Sequence, residues 1–220
     1  WVVMLNNQRL GNLLNIDSKL VHSITVPPGK LKAGLNTLSI VAPKTTDDIE
    51  VGPITLTAQP EAEIFSASLN VNVTNKQTGR PTPSRITIVD AYGALAALRP
   101  LPEQRLAHRP GVVYTGGDLV RLKLLPGQYT VYASRGFEYS VAKTTVTVRS
   151  DQPSNVQLAL IREVPTPGLV ATDTHIHTLT RSGHGDSTEH ERMYTIAGEG
   201  IEFAVATDHN HHADYRPVQK

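Results

Sequence analysis

The chain of 220 residues contains no cysteine. Disulfides, thiolate nucleophiles, zinc–thiolate sites and iron–sulfur clusters are therefore excluded, so a metal ion would have to be held by histidine and carboxylate side chains. No run of apolar residues is long enough to predict a transmembrane helix. Basic and acidic residues almost balance, at 21 and 20, so the strong positive field that favours nucleic acid is missing. We expect neither a nucleic-acid partner nor a membrane span.

The length and the hydrophobic content of 39% are sufficient for two or three small domains. The chain begins at Trp1, inside a stretch that is typical of a strand. A strand needs neighbours in a sheet, so we expect the sequence to be a piece of a longer protein.

Residues 1–60 alternate between short strands and turns. Strands are predicted at 1–5, 21–26, 36–42 and 54–58. The stretch Lys32–Leu38, followed by Asp47–Gly52, resembles the closing strands of galactose-binding-type jelly rolls. We therefore expect a partial, jelly-roll-like β-sandwich over this region.

Residues 61–164 contain more regular strands. Leu69, Val71 and Val73 alternate with polar residues, and Val120, Leu122 and Leu124 repeat this period of two. The turn motifs Thr-Gly-Arg-Pro at 78–81 and Leu-Pro-Gly at 125–127 resemble those of carboxypeptidase-regulatory-like modules, which accompany secreted or periplasmic enzymes. The resemblance implies a second β-sandwich and an extracytoplasmic location. Residues 92–110 are predicted to form a long loop.

Six aromatic side chains of the β regions are candidates for a carbohydrate-binding platform. They are Trp1, Tyr114, Tyr129, Tyr132, Phe137 and Tyr139. Because strand alternation sends about half of such side chains into the core, burial is the competing interpretation.

The sequence changes character at Pro165, and residues 165–220 form the third predicted region. Residues 166–220 hold eight acidic residues, four basic residues and seven of the nine histidines. A strand is predicted at 169–178, a helix at 188–197 and a second strand at 201–207. Thr188 and Glu191 have the spacing of a capping box. This order predicts two parallel strands joined by a helical crossover.

Candidate metal ligands cluster at the carboxyl ends of these two strands. His175 and His177 are two residues apart, so both imidazoles leave the same face of a strand, although such a pair also occurs by chance, with one ring solvated and the other packed. His209 follows the second strand. The intervening loop offers Asp186 as the preferred ligand and His184 as the alternative.

Other polar residues surround these candidates. Asp173 and Asp208 either orient an imidazole or act as ordinary strand-end carboxylates. Arg181 is a candidate for contacting a phosphate of the substrate. His211 and His212 either shape a substrate cleft or form a surface histidine cluster that binds metal adventitiously. The sequence does not indicate a catalytic residue.

The motifs Asp-Thr-His-Ile-His at 173–177, Gly-His-Gly-Asp at 183–186 and Thr-Asp-His-Asn at 207–210 resemble the opening of the polymerase and histidinol phosphatase (PHP) superfamily. The resemblance is closest to its carbaryl-hydrolase-like branch. It implies the first βαβ unit of a β/α barrel and metal ligation by His175, His177, Asp186 and His209. It also implies two or three divalent ions in the complete barrel, with Zn first and Mn or Fe as alternatives.

We therefore expect a mainly β protein that ends in the start of a barrel. By the resemblance, the full-length protein is a metal-dependent hydrolase in which a metal-activated water attacks a phosphoester, ester or carbamate substrate. The fragment itself is expected to be inactive. The alternative is an extracellular carbohydrate-binding or adhesion β-sandwich protein whose barrel is degenerate.

Overall fold

The computed structural model describes residues 1–44, 46 and 48–219. Its strands are Val2–Leu5 (β1), Gln8–Asn12 (β2), Leu38–Val41 (β3), Ala67–Asn75 (β4), Ser84–Asp90 (β5), Arg99–Pro100 (β6), Leu106–Arg109 (β7), Val112–Thr115 (β8), Val120–Leu124 (β9), Gly127–Ser134 (β10), Ala142–Val148 (β11), Ser154–Leu160 (β12), Thr172–Ile176 (β13) and Phe203–Ala206 (β14). The helices are Glu61–Ile64 (α1), Leu179–Ser182 (α2) and Glu189–Gly198 (α3), with a 3₁₀ turn at Arg216–Val218. The protein is mainly β, as the sequence predicts.

The first region forms a small antiparallel sheet in the order β2-β1-β3. Val3 and Leu5 of the central strand are buried. The expected strands at 21–26 and 54–58 do not form, because neither segment has a partner strand and Ile54 and Leu56 remain exposed. The jelly-roll resemblance depended partly on Asp47, which lies outside the described residues.

The first region is joined to the following one by backbone contacts. The Val21 amide donates to the Leu95 carbonyl, and the Leu95 amide donates to the Lys19 carbonyl. These bonds attach a sheet that buries little apolar surface of its own to the larger region beside it.

Strands β4 to β12 form two sheets. One has the order β11-β10-β5-β8-β7, and the other has the order β12-β4-β9-β6. The strands pair antiparallel except β12 and β4, which are parallel. Alternate residues of β4, β5 and β10 are buried in one continuous hydrophobic core, as the period of two predicts. The β-sandwich is therefore confirmed.

Residues 92–110 differ from the predicted long loop. Ala96, Leu98 and Ala107 are buried, and the segment supplies an edge strand to each sheet, namely β6 and β7. The sequence pattern was misleading because Pro100 and Pro102 indicate a loop, whereas proline is tolerated on an edge strand.

The C-terminal segment, residues 165–219, has the predicted order of strand, helix and strand. β13 and β14 are parallel, and α2 and α3 lie between them in the chain. The capping box is confirmed: the Thr188 side chain accepts from the Glu191 amide, and the Glu191 carboxylate accepts from the Thr188 amide. The two strands form a sheet of their own.

Helix α3 packs on the five-stranded sheet, against β5, β7 and β8. Gly198 makes this approach possible, since a Cβ there would lie 2.7 Å from Cδ1 of Tyr114. Gly136 has φ 61° and would place a Cβ only 2.1 Å from the Glu199 carbonyl oxygen. Two glycines therefore set how closely the C-terminal segment packs on the sandwich.

Candidate metal centre

Three histidines meet where β13 and β14 end. His177 follows β13, His209 follows β14, and His184 lies in the loop between α2 and α3. One ring nitrogen from each lies within 4.8 Å of the other two. His177 is half-buried, and His184 and His209 are exposed. We call these three side chains the histidine cluster.

The rings of the histidine cluster are packed against one another. The centroid of His177 lies 4.7 Å from that of His209, with the rings nearly parallel, and 5.0 Å from that of His184. His184 and His209 are also 4.7 Å apart. Loss of solvation and the neighbouring imidazoles His209, His175 and His184 lower the pKa of His177. A lowered pKa favours the neutral imidazole, which is the form that binds metal.

His175 lies beside the histidine cluster rather than in it. Its Nε2 is 2.8 Å from Nε2 of His177, and the two rings meet edge to face. The two side chains therefore lie on the same side of the chain where β13 ends. A short contact between two ring nitrogens satisfies one of them as donor and the other as acceptor.

Asp208 holds the backbone around the cluster. Its Oδ1 accepts hydrogen bonds from the Thr178 amide, the Thr178 hydroxyl and the Ser182 hydroxyl, and its Oδ2 accepts from Tyr215. Burial alone would raise its pKa, but the hydrogen bonds from Tyr215, Thr178 and Ser182 outweigh burial and lower the pKa to about 2. Asp208 thus fixes the chain beside His177 and His209 without touching an imidazole.

The loop carboxylate Asp186 is held by the sandwich. Its Oδ2 accepts from Nε of Arg109 at 2.9 Å. This hydrogen bond lowers the pKa of Asp186. The structure therefore brings His184 to the other imidazoles, whereas the sequence-based preference was for Asp186.

The remaining candidates are not members of the histidine cluster. Asp173 accepts from the His175 amide, the geometry of an ordinary strand-end carboxylate. Arg181 is paired with Glu189 at 2.8 Å. His211 and His212 are exposed beyond β14.

Arg109 is the important residue that sequence reasoning missed. It lies in the segment interpreted as a loop, and no motif marks it. Its guanidinium contacts Asp186, Ser187 and Glu191, all of the C-terminal segment. An arginine on an edge strand is an ordinary surface residue in sequence, so only the packing of the two regions reveals its role.

A cleft of about 560 Å³ adjoins the histidine cluster, between the sandwich and the C-terminal segment. His175, His177 and His184 line it together with Arg109 and Tyr114 of the sandwich. Burial and a hydrogen bond to Glu199 raise the pKa of Tyr114 to about 12, so this phenol stays neutral.

Three imidazole nitrogens at this spacing are suited to one divalent transition-metal ion. Zn²⁺ takes histidine nitrogen at about 2.0–2.1 Å in tetrahedral geometry, so three histidines leave one position for water or a further ligand. Imidazole donors also suit Fe and other late transition metals.

The six aromatic candidates differ in how far they are buried. Tyr129 is buried, with its hydroxyl donating to the Leu125 carbonyl. Trp1, Tyr114, Tyr132 and Tyr139 are half-buried. Phe137 is fully exposed, on the connection between β10 and β11.

Across the described residues, no helix is both long and apolar enough to cross a membrane.

Fold and site together define a mainly β sandwich protein with a histidine cluster on its C-terminal segment. No family model and no curated protein matches the chain. Among solved structures, it is similar to the minor pilin of Streptococcus agalactiae, with 17% identity and a TM-score of 0.34, covering 47% of each chain.

Two further solved structures are similar over the same share of the chain. A double mutant of the shaft pilin SpaA from Lactobacillus rhamnosus GG has 11% identity and a TM-score of 0.31, covering 46% of this chain and 49% of that one. The pilus-presented adhesin Cpa has 15% identity and a TM-score of 0.25, covering 43% of this chain and 26% of that one. The chain thus spans about half or less of each of these proteins.

These findings correct the family assignment. The expected membership of the PHP superfamily is wrong: no family model matches the chain, and the sheets of the described residues do not form the start of a barrel. The assignments as enzyme, hydrolase, phosphoesterase and zinc enzyme are wrong with it.

The described residues form a three-stranded sheet, the two sheets of the sandwich and one two-stranded parallel sheet rather than a barrel. The motifs misled because short motif matches need a structural context to confirm them, and here they lie on a separate two-stranded parallel sheet.

Proposed function

We propose that this chain is a non-enzymatic, extracytoplasmic β-sandwich module whose C-terminal segment binds one divalent metal ion. The observation that carries the proposal is the meeting of His177, His184 and His209 within 4.8 Å. The proposed extracytoplasmic location follows from the type of module. The proposed role in adhesion, rather than in converting a small molecule, follows from it as well.

The proposed role of the ion is structural. The three histidines come from the end of β13, from the loop before α3 and from the end of β14, which are separate parts of the chain. An ion bound by all three would cross-link these parts. Among the residues of the C-terminal segment that the structure describes, Ile176 and Tyr215 are the buried large apolar or aromatic side chains. A metal cross-link would supply stability that so small a core does not.

Titration of Zn²⁺ into chelator-treated protein tests the proposal. We expect one site per chain, lost when His177 and His209 are both replaced by alanine. His190→Ala is the matched control, because His190 is an exposed histidine of α3 outside the cluster. Retained binding in the double variant, or loss in the control, would overturn the proposal.

A second candidate function, adhesion to an apolar protein surface, is favoured by the β10–β11 connection. Phe137 is fully exposed there and Val141 is 65% exposed. Contiguous exposed apolar patches mark contact surfaces, and these two side chains are four residues apart on one connection. If this surface is adhesive, Phe137→Ser with Val141→Ser reduces retention of the protein on apolar interaction resin. Unchanged retention would exclude the connection as the contact.

A further inference from the structure

We infer that Arg109 of the β-sandwich is a positioning residue for the metal site, so that metal binding and docking of the C-terminal segment on the sandwich are coupled. The inference rests on the proposed function, because it concerns the affinity of the same histidine cluster. It goes beyond that function by assigning a role to a residue in a different region of the chain.

Arg109 binds the loop between α2 and α3 through several hydrogen bonds. Its Nε donates to Oδ2 of Asp186 at 2.9 Å, and its Nη2 donates to the Asp186 carbonyl and to Oγ of Ser187 at 3.0 Å. Backbone and side chain of the loop are therefore both held. Such forked contacts fix orientation as well as distance, which a lysine ammonium cannot reproduce.

Arg109 also holds the start of α3. Its Nη1 lies 3.2 Å from Oε1 of Glu191, whose other carboxylate oxygen accepts from the Thr188 amide. The same carboxylate thus closes the capping box and binds the sandwich. Ser187 is 2% exposed, and its carbonyl accepts from the Leu179 amide, so the gripped loop is also tied to α2.

The same loop carries one of the three imidazoles. His184 lies two residues before Asp186 and is flanked by Gly183 and Gly185, whose φ angles are 70° and 90°. Glycines at positive φ give this stretch few restraints of its own. The position of His184 beside His177 and His209 therefore depends on what holds Asp186 and Ser187. Leu179 and Arg192 hold them from within the C-terminal segment, and Arg109 holds them from the sandwich.

A coupling of this kind is reciprocal. If contact with Arg109 places His184 for metal binding, a bound ion must in turn strengthen the contact with Arg109 by the same factor. The ion would then stabilise the contact between the C-terminal segment and the sandwich, as well as cross-linking the segment itself.

The test uses the full chain and compares Zn²⁺ affinity in four proteins: the unsubstituted chain, Arg109→Ala, His184→Ala and the double variant. We expect Arg109→Ala to weaken binding by about tenfold. In the His184→Ala background the same substitution should have no further effect, because Arg109 acts through that ligand. Equal losses in both backgrounds would mean general destabilisation and would overturn the inference.

Controls separate this inference from the proposed function. Arg99→Ala removes a comparable ion pair, to Glu61 at 2.7 Å, on the other sheet, and should leave the affinity unchanged. Arg109→Lys should give an intermediate affinity, and it replaces Arg109→Ala if that variant fails to fold. If the unsubstituted chain binds no Zn²⁺, the proposed function and the inference both fail. If it binds and Arg109→Ala binds equally well, only the inference fails.

Discussion

The β-sandwich and the C-terminal segment are stabilised by different kinds of interaction. The sandwich has a continuous core in which residues such as Ile88 and Leu122 are almost completely buried. The C-terminal segment buries polar groups instead, among them Thr178, Ser187 and Asp208. A buried polar network holds only while all its members are paired. We therefore expect the apolar core to stabilise the sandwich, and hydrogen bonds between buried polar groups to stabilise the C-terminal segment.

The largest effect should come from the core of the sandwich. Leu122→Ala removes a side chain that is 1% exposed and should lower the free energy of unfolding by about 2–5 kcal/mol. Urea denaturation followed by circular dichroism measures the change. Leu119→Ala is the control, since Leu119 is 38% exposed, and its effect should be much smaller. If both substitutions lowered the free energy of unfolding equally, the buried apolar core would not be what stabilises the sandwich.

Metal should stabilise the other region selectively. Zn²⁺ at about 100 times its dissociation constant should add about 2.7 kcal/mol to the stability of the C-terminal segment. Hydrogen exchange would show slower exchange in β13, α3 and β14, with β4 and β5 unchanged. Uniform slowing throughout the chain would contradict the division into two differently stabilised regions.

Asp208 should be the most sensitive polar position. Asp208→Asn keeps the shape but loses the carboxylate that accepts from Thr178, Ser182 and Tyr215. We expect a loss of about 1–3 kcal/mol, confined to the C-terminal segment. Asp173→Asn, at an exposed strand-end carboxylate, is the control. Measurement by limited proteolysis should show early cleavage in residues 165–219 for the Asp208 variant alone.

The same carboxylate predicts a dependence on pH. The pKa of Asp208 falls from an ordinary value of 3.8 to about 2 in the folded protein. A lowered pKa contributes stability that is present above pH 3.8 and is lost as the pH falls towards 2. Hydrogen exchange in acid should therefore show the segment opening in this range in the unsubstituted chain. In Asp208→Asn the opening between pH 3.8 and 2 should be smaller, and the part that remains would come from other carboxylates of the segment whose pKa is lowered, such as Asp186.

The smallest effect is expected where the two regions meet. Tyr114 donates to Oε1 of Glu199 at 2.8 Å. Tyr114→Phe removes this bond and keeps the ring beside Gly198, so it should cost about 1 kcal/mol. Thermal unfolding in the presence of Zn²⁺ measures it. A change as large as that of Leu122→Ala would mean that the interface, rather than the core, limits stability.

Much of the fold could be predicted from sequence because it depends on local patterns. The period of two in β4, β5 and β10, and the Thr188–Glu191 capping box, need only neighbouring residues. The edge strands β6 and β7 could not be predicted, since their segment contains prolines and its strand pairing depends on distant partners.

The site was predictable only in part. The spacing of His175 and His177 places both on one face, and His209 follows the adjacent parallel strand. The choice between His184 and Asp186 depends on Arg109, which is more than 70 residues away in the chain. The family assignment failed because short histidine motifs are shared by unrelated proteins with parallel strands.

The central claim is that the histidine cluster holds one divalent ion. Anomalous scattering from crystals of the full chain grown with Zn²⁺ tests it most directly. If the claim is right, one strong anomalous peak lies about 2.0–2.1 Å from a ring nitrogen of each of His177, His184 and His209. A peak at His211 and His212 instead, or none at the cluster, would contradict it.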